Sequence, residues 1–107
     1  PFEFDGHTFQ LCCNMNVLAD VQDAFGGEII EALSGKASVR SLMEFLAAML
    51  NDSADEQGIE VRYTSRQVGR MLAPARMGEV KAIVMRLVRK AMSADTELSP
   101  EEDAPKN

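Results

Sequence analysis

The sequence predicts a mainly α-helical fold with a small N-terminal β-hairpin, a compact bundle of four to five helices closed by a disordered acidic C-terminal tail. Three observations carry that prediction. Phe2-Glu3-Phe4, then Asp5-Gly6, then His7 to Cys13 places the positive-φ pair of a tight type I′ turn between two alternating runs. Ser38 to Leu50, SVRSLMEFLAAML, is apolar around most of a helix circumference and so needs covering on several sides. Val80, Ile83, Val84, Leu87, Val88 and Ala91 recur at the spacing of one helical face, after which DTELSPEEDAPKN turns to acids and Pro.

In chain order, the turn at Asp5-Gly6 sets a register that pairs Phe4 with His7 and Phe2 with Phe9, placing Phe2, Phe4, His7, Phe9, Leu11 and Cys13 on one face. Asn14 or Asn16 caps a helix to about Phe25, with Val17, Leu18, Val21, Ala24 and Phe25 inward and Gly26-Gly27 as its stop. Glu28 to Leu33 reads as a second short helix, and Ser38 caps the central one. NDSADEQG, residues 51–58, is polar and turn-rich and is expected to be a surface loop open to proteases. Ile59 to Tyr63 alternates as a short extended segment. Thr64-Ser65-Arg66-Gln67 has capping-box spacing for a helix that Pro74 ends. The last helix is expected from about Met77 to Met92, giving a single domain over 1–94 and a disordered tail over 95–107.

With 107 residues, 46% hydrophobic and 26% charged, the chain has the balance of one globular domain. No apolar run reaches the roughly 18 residues of a membrane span, and PFEFDGHTFQ lacks the basic and apolar regions of a secretion signal, so a cytoplasmic protein is expected. Net charge is −6, unevenly spread. Residues 1–59 carry ten acids against Lys36 and Arg40, a net of −8, whereas 60–94 carry eight basic residues against Glu60 and Glu79, a net of +6. Such polarity suits head-to-tail contact between copies or an acidic partner.

Residues that could carry chemistry have ordinary readings. His7 is the only histidine and has no nucleophile placed beside it. Cys12-Cys13 are adjacent, which suits two reduced thiols in a strand and neither a disulfide nor a zinc site. The glycines fit no phosphate or dinucleotide motif, and Asp20/Asp23 and Glu28/Glu31 read as solvated helix faces. No catalytic residue, metal or cofactor is expected. Of seven methionines, Met43, Met49 and Met71 fall on core stripes, while Met77 and Met85 lie off the stripe of the last helix, where a soft surface suits a hydrophobic partner. The basic segment 62–90 admits a small nucleic-acid-binding or regulatory domain; a pI near 4.7, Tyr63 as that segment's sole aromatic and the lack of a binding motif argue against nucleic acid.

Four stretches, FEFDGHTFQLCCNMNVLADVQDAFGG, EIIEALSG, SVRSLMEFLAAMLND, and TSRQVGRML with the amphipathic helix after it, together resemble the small tail assembly chaperones of long-tailed bacteriophages and of gene transfer agent clusters. The resemblance covers residues 2–92 and rests on order and polarity. It implies a non-enzymatic protein of the host cytoplasm, absent from the mature virion, that self-associates as a homo-oligomer. It also implies that the protein keeps the hydrophobic tape-measure protein soluble and helps tail-tube protein assemble around it. A structural tail component stays open beside it. Because the family offers no motif for its partner contacts, the candidates come from positions expected to be apolar or basic and exposed: Phe45, Met49, Met77, Met85, Arg66, Arg70, Arg86 and Arg89.

Overall fold

Asp5 and Gly6 adopt φ of 54° and 76°, the pair of left-handed residues that a type I′ turn requires. They join β1 (Phe2–Phe4) to β2 (His7–Phe9) in the expected register, Phe2 opposite Phe9 and Phe4 opposite His7. A computed structural model describes the backbone of residues 1–25 and 38–98, and the side chains of 1–24 and 38–91. The Gly26-Gly27 stop, the short helix expected at 28–33 and residues 99–107 lie outside the described residues.

A two-stranded hairpin is marginal by itself, so its apolar face has to be covered. Phe2, Phe4 and Phe9 are buried, and Tyr63 meets Phe4 and Phe9 edge-on at 5.3 and 6.3 Å. Both edges are closed by side chains. On β2, Gln57 Oε1 accepts from the Gln10 N–H (2.9 Å) while its Nε2 donates to the Thr8 carbonyl (3.0 Å), occupying the place of a neighbouring strand's peptide. On β1, Arg76 Nη1 donates to the Glu3 carbonyl (2.9 Å), and its guanidinium lies 4.6 Å from the centre of the Phe2 ring.

The described helices are α1 (Met15–Phe25), α2 (Val39–Gln57), α3 (Ser65–Met71) and α4 (Met77–Leu98), with a 3₁₀ turn at Pro74–Arg76. Asn14 caps α1 by accepting from the Val17 N–H (3.0 Å), and Ser38 caps α2 by accepting from the Ser41 N–H (3.1 Å). Thr64 and Gln67 form the expected capping box at α3, with bonds of 3.1 and 2.8 Å. The fold is therefore mainly α with an N-terminal hairpin. α1, α3 and α4 all pack on α2, whose Leu42, Phe45, Leu46, Met49 and Leu50 are buried among Val17, Val21, Val68, Val80, Val84 and the hairpin rings.

Three expectations are corrected. Residues 51–57 are not a loop: they continue α2, which Gly58 ends at φ 75° with Ile59 N–H bonded to the Ala54 carbonyl (2.8 Å). Polar composition misleads there because the polar groups have fixed partners within the chain. Asn51 Nδ2 donates to the Tyr63 carbonyl (2.8 Å) and Asn51 Oδ1 accepts from the Tyr63 N–H (2.7 Å), while buried Ser53 donates to Gln57 (2.6 Å). Second, α4 runs to Leu98, past the end expected at about Met92. Third, Cys12 and Cys13 follow β2 and do not continue it, because Gln10 turns its N–H to α2.

Candidate partner-binding surface

α4 divides into three strips. Val80, Val84 and Val88 are buried against α2. On one flank Ile83 and Leu87 are half-buried and packed on the core edge, with exposed Arg86 and Lys90 beyond them. On the other flank, at the four-residue spacing of a helix, lie exposed Lys81, half-buried Met85 and exposed Arg89. The first flank and the hairpin bound a groove of about 380 Å³, lined by Pro1, Phe2, Gln10, Leu11, Ile83, Leu87, Arg86 and Lys90. Leu11, Ile83 and Leu87 give it an apolar strip, and Gln10, Arg86 and Lys90 make the rest of its lining polar and cationic.

Among the described residues, Arg62 pairs with Asp55 (3.7 Å) and Arg76 with Glu79 (3.0 Å). The Arg76 contact holds the Glu79 carboxyl below its ordinary range. Arg66, Arg70, Arg86, Arg89 and Lys90 are exposed and make no ion pair with a described carboxylate. Arg66 and Arg70 project from α3, close to α2: a Cβ on Gly69 would stand 3.0 Å from Met43 Sδ.

Two of the expected contact residues are corrected. Phe45 and Met49 are 3% and 0% exposed, because the hairpin face, α1, α3 and α4 cover α2 from within the chain. They hold the core and present nothing to a partner. Met77 is half-buried and packed on the core; Met85 is half-buried on the α4 flank. Met71, expected as a core filler, is 45% exposed, and Val39, expected on the inner face of α2, is 57% exposed. Met15, at 77%, is the most exposed large apolar side chain among those described. Sequence reasoning named Arg86 but missed Leu11, Ile83, Leu87 and Lys90 as a group. The signal was present: Ile83/Leu87 and Arg86/Lys90 are adjacent four-residue pairs on one helix.

No described group offers catalytic geometry. The His7 ring lies 5.8 Å from Phe9, tilted by 60°. Burial, then the Asp52 charge, pushes the Cys12 thiol up, and burial, then Cys12, pushes Cys13 up to about 11, so neither holds much thiolate near neutral pH. Among the described residues, no three His, Cys, Asp or Glu side chains stand close enough to share a metal ion. No described helix is long and apolar enough to cross a membrane. Compared with known proteins, the chain matches no family model, no curated protein and no solved structure.

Proposed function

We propose that this protein is a non-enzymatic assembly chaperone that binds amphipathic helices of a long tape-measure-like client and keeps it soluble in the host cytoplasm while tail-tube subunits gather around it. The resemblance over residues 2–92 motivates the client. The observation that carries the reading is the outer flank of α4, where Met85 sits between Lys81 and Arg89 on one strip. A polarizable, unbranched side chain framed by cations suits apolar client stripes bordered by acids, and tolerates variation among them.

Co-expression with a long tape-measure-like protein, if one is encoded near this chain's gene, tests this. The wild-type chain should keep the client in the soluble fraction, and Met85→Glu with Arg89→Glu should lose at least about tenfold of that yield while the domain stays folded, since a charge in an apolar contact costs several kcal/mol. A client equally insoluble with and without the wild-type chain would rule the reading out.

A nucleic-acid reading draws on the exposed Arg66, Arg70, Arg86 and Arg89. It predicts binding that weakens steeply with salt, about one power of salt per phosphate contacted. Client capture, with the apolar Met85 contact at its centre and cations only at its border, should weaken far less steeply over the same titration.

A further inference from the structure

We infer that the groove between the hairpin and α4 receives α1 of a second copy of this chain, in a head-to-tail contact. This goes beyond the client reading and uses the opposite flank of α4, so either can fail alone.

The groove presents half-buried Leu11, Ile83 and Leu87 beside the cations Arg86 and Lys90. A helix with a narrow apolar strip bordered on one side by carboxylates would cover those apolar side chains and pair the cations. α1 offers that pattern. Val17 and Val21 face inward, which turns Met15 and Ala19 outward on one strip, with Asp20 and Asp23 along one side of it; all four are exposed. A methionine 77% exposed at the start of that strip is a natural plug for the apolar part of the groove. Beyond the strip, Asp20, Asp52 and Asp55 border one hollow beside α1 together with Arg62, which pairs with Asp55 and leaves Asp20 and Asp52 as its carboxylates without a described ion pair. No described carboxylate pairs with the groove's cations.

The two surfaces differ, so the contact is heterologous and leaves one groove and one α1 free at the ends, able to add further copies or close a ring. Charge on a single side of the strip fixes the direction in which α1 lies, and makes the association salt-sensitive.

Sedimentation velocity across protein concentration tests the interface with the full chain. At about 0.02 M salt the weight-average mass should rise with concentration, and at about 1 M, where the Debye length is about 3 Å, it should fall back towards monomer. Two double variants, Arg86→Glu with Lys90→Glu and Asp20→Lys with Asp23→Lys, should each raise the apparent Kd by about tenfold or more, because each sets like charges across the contact. Mixed together they should associate again, since each then meets an oppositely charged surface on the other. Circular dichroism unchanged in both variants shows that the fold is intact. A wild-type chain that stays monomeric throughout, an assembly indifferent to both reversals, or variants that remain apart when mixed would each overturn the interface. In those cases the groove is left to an acidic helix of another protein.

Discussion

Tyr63 is the side chain on which most of the fold's joints meet. Its ring lies edge-on to Phe4 and Phe9, both its backbone polar groups are held by Asn51, and its hydroxyl donates to Asp5 Oδ2 at 2.7 Å, binding the hairpin turn to the segment before α3. Burial first, then the Asp5 hydrogen bond and charge, pushes its phenol up to about 12 from an ordinary 10. Because the folded value is the higher one, the contribution is intact below pH 10 and is lost as pH rises from 10 towards 12. Stability measured by urea titration should therefore drop across that window in the wild type. Tyr63→Phe should cost about 1 kcal/mol at pH 7 and flatten the alkaline drop, since the ring packing survives and only the hydrogen bond is lost. An alkaline drop of the same size in Tyr63→Phe would show that other groups cause it.

At the level of elements, the stretches whose partners are close in sequence were legible: the Asp-Gly turn with its register, the Asn14 and Ser38 caps and the Thr64/Gln67 capping box all depend on neighbours within a few residues. What was not legible depends on partners far along the chain. Residues 51–57 read as loop because Asn51, Ser53 and Gln57 are polar, yet each spends its polarity on Tyr63, Gln10 or Thr8 inside the molecule. The candidate surface misled likewise, because an apolar helix such as α2 looks the same in sequence whether its covers come from its own chain or another. Gln57 gives the sharpest test of the element that resulted. Gln57→Ala should destabilise the domain by about 1–2 kcal/mol, and Gln57→Glu by a similar amount, because a carboxylate cannot donate to the Thr8 carbonyl. The exposed neighbour Glu56, changed to Ala, should move stability by less than about 0.5 kcal/mol. Because Ala has the higher helix propensity at both positions, equal destabilisation at 56 and 57 in denaturant titrations would mean that Gln57's bonds to the strand edge contribute nothing of their own.

For the whole molecule, the decisive property is that one helix serves every layer. Among the described residues the hairpin has no third strand; it is held by Gln57 of α2, by Arg76 of the 3₁₀ turn and by the rings around Tyr63, while α1, α3 and α4 use other sides of the same helix. A layer so attached has no core of its own to keep once α2 is disturbed, so hairpin and helices should unfold in a single transition. The chain contains one Tyr and no Trp, which makes Tyr63 fluorescence a reporter of hairpin docking, and circular dichroism at the helical band reports the bundle. Leu46 is fully buried at the middle of α2. Leu46→Ala should cost about 2–5 kcal/mol, a large share of the roughly 5–15 kcal/mol that holds a domain of this kind together, and should shift both signals by the same amount. Should fluorescence change well before the helical signal, in the wild type or in Leu46→Ala, the hairpin would be a separately melting layer, and the side chains at its edges would be docking it only loosely.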